Sequence, residues 1–337
     1  MQTLVQYEYL DRDVILSGVV DTIVKESPVL GILPQKTIQG NAYKYSVELS
    51  LPTVSWLTIG DLITENTGTF EQRSTDIYTL IGDADTDKTA IQLNATQNPE
   101  AIDVAMKAKA MAHAWELNFI MGQTTTASST KQFKGLLRMI AELESSSTTD
   151  LDGSTTPGAG NNTQVIAVNA ASGALTMAYM DALIDQVKPG KPDLLLMSRV
   201  TRRKLNTLMR ATGSTGSGVQ LAEIGGFGLK VPTYDGIPIL VSDWLPDNIQ
   251  DGASSVLDIA NFNQATARAS GYDNTVIFAL QLGDDKLCGL NAGEITHERE
   301  LFIENKDVIR NRFKWLCGAA LFKKYSAAVL ININPDS

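Results

Sequence analysis

The segment between Lys36 and Leu93 constrains the possible folds of this chain more than any other part of its sequence. Its first part has the period of two that is typical of a half-buried β-strand. Further strands are expected near 77–81 and at 88–93, with a polar stretch at 58–75. No helix is expected within the segment to cover its apolar face, and a hairpin alone in water is marginal. The segment therefore predicts a protein that completes its fold against neighbouring copies. The apolar residues of the first strand are Tyr43, Tyr45, Val47, Leu49 and Leu51.

A long helix is predicted over residues 99–121. Asn98 is a favourable N-cap, Pro99 suits the first helical position, Glu100 favours the helix dipole, and Gly122 ends the pattern. Apolar residues recur on one face at three- and four-residue steps. About 23 residues in a helix span about 35 Å, so this element is longer than most domains need. The residues of its apolar face are Val104, Ala108, Met111, Trp115 and Phe119.

After the Ser/Thr/Gly/Asn-rich residues 145–162, which predict a mobile loop or hairpin tip, strands and helices alternate. Thr176 and Ser198 are expected to cap two helices, and residues 194–197 form an all-apolar buried strand. The glycine-rich run 213–228 is expected to be a flexible loop. Other strands are predicted at 165–168, 237–241, 256–259, 275–282, 309–317 and 327–333. The core predicted for this unit comprises Leu183, Leu194, Leu196, Ile239, Val241 and Phe278.

The net charge excludes one class of function. With 28 Lys and Arg against 38 Asp and Glu, the chain carries −10, so phosphates are repelled and a tight, sequence-independent grip on nucleic acid is not expected. A wall that encloses DNA without sticking to it remains compatible. Neither a membrane span nor a secretion signal is recognisable. Two cysteines, Cys288 and Cys317, are too few for a disulfide framework and are expected to be free thiols in a reducing cytoplasm.

Residue types that carry chemistry are scarce. His113 and His297 are the only histidines, and His113 is expected to have a packing or surface role. A pairing of Cys288 with His297 as nucleophile and base has little support. Because no zinc motif or nucleophile elbow is present, we predict no catalytic residue, no cofactor-binding residue, no metal site and no cofactor, and hence no enzyme.

Asp83, Asp85 and Asp87 have the spacing that opens a calcium-binding loop. The pattern fails at Lys88, where glycine is needed, and at Asn94, where a bidentate glutamate is needed. A solvated hairpin turn is expected instead, with a weak cation site between subunits as the alternative.

Two other motifs favour structural roles. The run 225–228 (GGFG) lacks the residues of a phosphate-binding loop and predicts a flexible loop. The helix predicted at 199–210 carries four arginines and one lysine without any acid. It is either a solvated face or a surface that meets carboxylates of a neighbouring copy.

The order of these elements resembles the major capsid proteins of tailed bacteriophages that share the HK97 fold. Residues 175–184 (LTMAYMDALI), followed by 191–198 (KPDLLLMS) and a basic helix, are similar to the family's helix–strand–helix opening of the axial domain. Residues 234–243 (YDGIPILVSD) resemble its G-[IV]-P-[IV] strand and following Asp. Residues 327–333 (AAVLINI) after a long strand resemble its closing strands.

The resemblance implies an α+β HK97-like capsid fold over almost the whole chain. Its parts would be an N-terminal arm, an extended β-hairpin called the E-loop, a peripheral domain built on the long spine helix, an α/β axial domain, and C-terminal strands of the peripheral domain. An amphipathic helical piece is expected within the arm. The implied boundaries are 1–33, 34–93, 94–174 with the spine helix at 99–121, 175–296 and 297–337.

The implied function is that of a major capsid protein that assembles into pentamers and hexamers of an icosahedral virion shell around double-stranded DNA. The implied partners are other copies of the chain, a portal, a decoration protein and packaged DNA through weak non-specific contact. The chain begins with a short arm, so scaffolding is expected either to be a separate protein or to be absent. Synthesis is expected in the host cytoplasm, without membrane contact. The alternative is an encapsulin-like shell of a cellular compartment.

Overall fold

The fold consists of two main sheets flanked by helices. The computed structural model describes residues 19, 22–23, 26–40, 42–63, 65–93, 99–122, 131–143, 150–151, 154–158, 162–168, 173–211, 219–224, 229–247, 249–250, 257–258, 263–264, 274–304 and 306–334. The described helices are α1 (Pro28–Ile32), α2 (Lys88–Leu93), α3 (Pro99–Met121), α4 (Leu136–Ala141), α5 (Met177–Asp185) and α6 (Arg199–Ala211), with a 3-10 turn at Lys324–Ser326. The described strands are β1 (Gln35–Thr37), β2 (Ala42–Ser50), β3 (Thr69–Asp76), β4 (Tyr78–Asp87), β5 (Asp150–Leu151), β6 (Val165–Ala167), β7 (Leu194–Met197), β8 (Val219–Ile224), β9 (Leu229–Tyr234), β10 (Ile237–Val241), β11 (Ile249–Gln250), β12 (Leu257–Asp258), β13 (Asn263–Gln264), β14 (Thr275–Leu280), β15 (Leu287–Asn291), β16 (Thr296–Glu300), β17 (Val308–Leu321) and β18 (Ala327–Ile333).

The 14-residue strand β17 organises the first sheet. Strand β4 pairs antiparallel with it from Val308 to Cys317. On the other side β16 pairs with the first part of β17 and β15 with its last part, and β1 extends the sheet beyond β15. The predicted alternation along β17 is confirmed, because Ile309, Phe313, Trp315 and Cys317 are buried while Lys314 is exposed.

The second sheet has seven strands in the order β6-β18-β14-β7-β10-β9-β8. Its central strands are buried on both faces, as the apolar runs at 194–197 and 327–333 predicted. One face packs against α5 and α6, with Leu183 and Ile239 in that core. The opposite face contributes Leu196 and Phe278 to a core that also contains Trp115. The sequence predicted one core for this α/β unit. In the structure these four residues fall into two cores, one on each face of the sheet, and one of the two cores also includes residues of the long helix. Strand β18, beyond the implied boundary at 296, hydrogen-bonds to β14 within this sheet.

Helix α3 matches the predicted spine helix residue for residue. Pro99 is its first residue, Gly122 follows its last, and all five residues of the predicted face are buried. Asn98 lies outside the described residues. Trp115 stacks on Phe119 and Trp315, with ring centroids 5.1 and 6.0 Å apart. The helix thus covers the sheet that contains β4 and β17.

The N-terminal arm packs on the same core. Val19 and Ile23, both in the predicted helical piece, are buried there together with Val29 of α1. Val14 and Ile15 of that prediction lie outside the described residues. The predicted caps of α5 and α6 are confirmed, because the Thr176 and Ser198 hydroxyls accept hydrogen bonds from the Tyr179 and Thr201 backbone N–H groups.

Three local predictions were wrong. Residues 88–93 form helix α2 rather than a strand, because Asp87 accepts a hydrogen bond from the Thr89 N–H (2.7 Å) and so caps a helix at the end of β4. Residues 69–75, predicted as part of a polar stretch, lie in β3, whose inward positions Arg73 and Thr75 are polar and give no hydrophobic period. Residues 219–224 of the glycine-rich run form β8, which pairs with β9.

Other parts of that run, 213–218 and 225–228, and most of the Ser/Thr/Gly/Asn-rich stretch 145–162 lie outside the described residues. No helix among the described ranges has both the length and the apolar character needed to cross a membrane.

Candidate assembly interface

The hairpin formed by β2 and β3 packs at its base against the residue that follows β17 in the same chain. Tyr43 and Tyr45 meet the Phe322 ring edge-on at centroid distances of 5.8 and 4.9 Å, and Val47 is buried. The prediction that an adjacent subunit covers this face is therefore wrong for the base of the hairpin. It still applies to Leu51, at the end of the predicted strand, which is exposed.

Polar contacts fix the direction in which the hairpin leaves the body. The buried Arg73 guanidinium donates to the Leu143 carbonyl oxygen (3.0 Å) and to Glu71 (3.1 Å). Beneath it, a cavity of about 260 Å³ is lined in part by Arg73, Lys134 and Glu142. Lys134 and Arg138 both bind Glu142, at 2.8 and 2.5 Å. These charges are already paired within the chain, so they hold the base of the hairpin rather than form a reactive site.

Beyond the base, residues 51–68 form the apolar tip, as we call it. Trp56 and Ile59 are fully exposed to solvent. The tip has internal polar contacts, since the Thr58 N–H donates to Asp61 (2.7 Å) and the Asn66 amide donates to the Thr53 hydroxyl (2.8 Å). A contiguous exposed apolar surface of this kind marks an interaction site. Its exposed apolar side chains are Leu51, Val54, Trp56, Leu57, Ile59, Leu62 and Ile63.

The sequence contains a signal for this surface, although its turn-forming residues predict a polar stretch. That polar stretch, 58–75, has Gly60, Asn66 and Gly68 as turn formers. It also contains the apolar residues Ile59, Leu62 and Ile63. Aromatic anchors such as Trp56 are typical of the centre of protein interfaces. The combination of an apolar surface with a turn-rich backbone is the feature that could have identified it.

The three aspartates with calcium-like spacing lie on β4, which pairs with β17 along its whole length. Asp83 faces Arg312, and Asp85 faces Arg310, on directly opposed positions of β17. Each pair is bidentate, with N···O distances of 2.9 and 3.0 Å for Asp83 and 2.6 and 2.7 Å for Asp85. The expected hairpin turn is therefore wrong. No group of three or more potential metal ligands occurs among the residues that the structure describes.

These ion pairs should make the first sheet sensitive to acid. Hydrogen bonds from Arg312 and Arg310 hold the pKa values of Asp83 and Asp85 below the usual range. A carboxyl with a lowered pKa in the folded state stabilises above its unfolded pKa, about 3.9, and this stabilisation is lost as the pH falls through the folded value. We therefore expect the double variant Asp83→Asn, Asp85→Asn to be less stable at neutral pH and to lose less stability on acidification.

Denaturant unfolding across a pH series measures this effect, with Glu298→Gln on β16 as a control that removes an exposed carboxylate. An unchanged slope of stability against pH in the double variant would contradict the assignment.

The spine helix begins in a related polar network. Arg299 of β16 binds Glu100 with two hydrogen bonds of 2.9 Å, and Asn311 donates to the same carboxylate at 2.8 Å. Burial alone would raise the pKa of Glu100, but the hydrogen bonds from Arg299 and Asn311 outweigh burial and hold it below its usual value. Glu100 thus ties the start of the helix to β16 and β17.

Neither histidine takes part in a catalytic arrangement among the described residues. His113 stacks on Trp244 (3.9 Å between centroids), in the packing role expected. His297 Nε2 contacts the Asn311 side-chain oxygen at 2.9 Å. Cys288 pairs with Ala320 and His297 with Phe313 along β17, seven residues apart, which corresponds to about 23 Å. A Cys288–His297 pair is therefore excluded.

The two cysteines are free and buried. Burial raises the pKa of the Cys288 thiol to about 11 and that of the Cys317 thiol to about 12. Both remain protonated at neutral pH, and a thiol is a much weaker nucleophile than a thiolate.

The basic helix α6 makes an ion pair with another part of the same chain. Arg199 binds Asp243, the Asp that follows the strand motif at 234–243. Arg202, Arg203 and Arg210 are exposed. Whether these meet solvent or carboxylates of another copy stays a prediction.

The sequence and the fold of this chain are similar to those of known shell proteins. The sequence profile of the phage capsid family matches residues 9–270. No curated protein matches the chain in sequence. Among solved structures, the holo-SrpI encapsulin complex from Synechococcus elongatus PCC 7942 is similar with a TM-score of 0.60 at 15% identity, over 92% of this chain and 88% of that one.

A capsid structure and a phage structure are similar to a comparable degree. The capsid of a native GTA particle gives a TM-score of 0.58 at 12% identity, over 92% of this chain and 90% of that one. Mycobacterium phage Adephagia gives 0.54 at 15% identity, over 90% and 89%. At such identities these likenesses show the fold, which is the α+β HK97-like fold. The family profile covers well over half of the chain, so this protein belongs to the phage capsid family.

Proposed function

We propose that this chain is the major capsid protein of a tailed bacteriophage and forms, as pentamers and hexamers, an icosahedral shell around double-stranded DNA. The observation that carries the proposal is the apolar tip, because its exposed side chains need a partner surface. A second copy of the chain is that partner. The protein is a structural component of the virion capsid, and it associates with itself into capsomers and a shell.

The finer assignments follow from this role. We propose the division into an arm (1–33), an E-loop (34–93), a peripheral domain (94–174), an axial domain (175–296) and closing strands (297–337). Among the closing strands, β17 joins β4 in one sheet and β18 joins β14 in the other, so this last segment ties the two parts together. The chain has no enzymatic activity in this role, and it is made in the host cytoplasm.

Other partners belong to the same proposal. A portal, a separate scaffolding protein and a decoration protein act with the shell, and packaged DNA is touched only through weak, non-specific contacts. The net charge of −10 supports this, because an acidic wall repels phosphates and lets the DNA be packed and released.

A cellular compartment shell is the second candidate, since the similarity to an encapsulin is as high as that to the capsid of the GTA particle. The contents of shells isolated from the native source separate the two functions. Nuclease-protected double-stranded DNA is expected for the viral role. Shells that instead enclose a defined protein cargo and lack protected DNA would overturn it in favour of the compartment.

A further inference from the structure

Glu116 lies in the last third of the spine helix and is fully buried. One of its carboxylate oxygens accepts a hydrogen bond from the Ser242 hydroxyl, while the other, Oε2, has no partner. Burial of an ionised carboxylate is costly unless a cation or several hydrogen bonds compensate it. The capsid role proposed above does not use this group, so its presence in the core needs a separate explanation.

Three elements meet at this carboxyl. Ser27, which precedes α1 in the N-terminal arm, is fully buried and lies close to Glu116. No well-directed hydrogen bond joins the Ser27 hydroxyl oxygen to Glu116 Oε2. Ser242 directly follows β10, and its backbone N–H bonds to the Met197 carbonyl oxygen of β7 (3.1 Å). Glu116 is thus the point at which the arm, the spine helix and the seven-stranded sheet come together.

Charged groups surround the site, but none of them neutralises Glu116. The arm contributes Glu26, which binds Lys109 (3.3 Å) and His113 (3.7 Å) of the spine helix. The segment after β10 contributes Asp243, which binds Arg199.

Among the residues that the structure describes, no cation lies within ion-pair distance of the Glu116 carboxyl. Burial raises the pKa of Glu116 above its usual value, and the nearby Asp243 carboxylate adds to this increase. The hydroxyls of Ser242 and Ser27, together with His113, offset the increase only in part.

We propose that Glu116 is protonated in this arrangement and acts as a latch that holds the N-terminal arm and the end of β10 on the spine helix. A neutral carboxyl can donate from Oε2 towards the Ser27 hydroxyl while its other oxygen accepts from Ser242. In this arrangement Glu116 Oε2 and Ser27 Oγ, the two oxygens without a well-directed hydrogen bond, become partners, and no charge is placed in the core. Loss of the proton leaves a buried carboxylate without a counter-ion, which favours release of the arm and entry of water.

The pH dependence of the latch has a defined sign. A carboxyl whose pKa is raised in the folded state contributes stability that is complete below the unfolded pKa of glutamate, about 4.3, and is lost as the pH rises through the folded value. The aspartate–arginine pairs of the first sheet have the opposite dependence. Above the folded pKa of Glu116, the equilibrium for opening the arm should increase about tenfold per pH unit, since one proton is released on opening.

Hydrogen exchange of the arm peptide that contains Ser27, in the assembled full-length protein and corrected for the intrinsic pH dependence of exchange, tests the latch. The wild type should lose protection of this peptide as the pH rises. The variant Glu116→Gln, a neutral isostere, should keep its protection across the series. The variant Glu298→Gln, which removes an exposed carboxylate of β16, should behave as the wild type does.

A second variant separates the latch from a merely structural role. Because the Ser242 hydroxyl favours the charged form of Glu116, Ser242→Ala should shift the loss of protection to higher pH. Infrared spectra of the wild type should contain the stretch of a protonated carboxyl that is absent in Glu116→Gln. The same pH dependence in Glu116→Gln as in the wild type, or absence of that infrared band from the wild type at a pH at which the arm is protected, would overturn the proposal.

Discussion

Replacement of residues 53–66 by a short Gly-Ser turn is expected to leave a folded, soluble subunit that no longer closes a stable shell. The cut preserves β2 and β3, including the Ser50–Thr69 hydrogen bond of 2.6 Å at the end of the hairpin. It removes most of the apolar tip, whose side chains make no core within the chain. Burial of one Val, Leu or Ile side chain is worth about 1.5–3 kcal/mol, so each copy loses several such contributions to its contact with a neighbour.

Circular dichroism and thermal melting of the shortened chain measure the fold, and electron microscopy of the same preparation measures assembly. A less drastic test is Trp56→Ser beside Glu65→Gln, an exposed polar position of the same tip. We expect the first to weaken assembly and the second to leave it unchanged. Normal shells from the shortened chain would mean that the tip is not an assembly surface.

The substitution Phe313→Ala is expected to destabilise the subunit by about 3–5 kcal/mol, the usual cost of removing a fully buried phenyl ring. Phe313 of β17 is completely buried, stacks on His297 (4.8 Å) and belongs to the core that contains Trp115. Because the total stability of a domain is about 5–15 kcal/mol, this loss is large enough to reduce the yield of folded protein. Equilibrium denaturation of the unassembled subunit measures it.

Phe302 supplies a matched control for this prediction. It lies in the connection between β16 and β17 and is almost fully exposed, with the Lys88 ammonium 5.0 Å from its ring. An exposed cation–π contact is worth about 0.5–1 kcal/mol, so Phe302→Ala should change the stability of the subunit by no more than that. Equal losses from the two substitutions would contradict the assignment of β17 to the core.

Elements with local signals were predictable from the sequence. The spine helix has a proline at its start, a glycine after its end and a regular apolar face, so its limits were found to the residue. The limits of β18 were predicted to the residue because six of its seven residues are apolar. All seven are buried in the structure, as expected for a strand that is covered on both faces. In both cases the information lies within the segment itself.

Elements whose partners are distant in sequence were not predictable. Strand β3 turns Arg73 and Thr75 inward, so hydrophobic periodicity could not reveal it. The role of Asp85 depends on Arg310, which is 225 residues away, and that of Glu116 depends on Ser242, which is 126 residues away. Without that pairing, the aspartates resembled a failed calcium loop and Glu116 gave no signal. Only the folded chain brings Arg310 to Asp85 and Ser242 to Glu116.

The central claim is that this protein builds a closed shell from copies of itself. Negative-stain electron microscopy of the purified full-length protein, at high concentration and over a range of salt and pH, tests it most directly. The account predicts capsomers and closed, roughly spherical shells of uniform size. Fields of monomers under all of these conditions, with a monomeric mass by light scattering of the same samples, would contradict it.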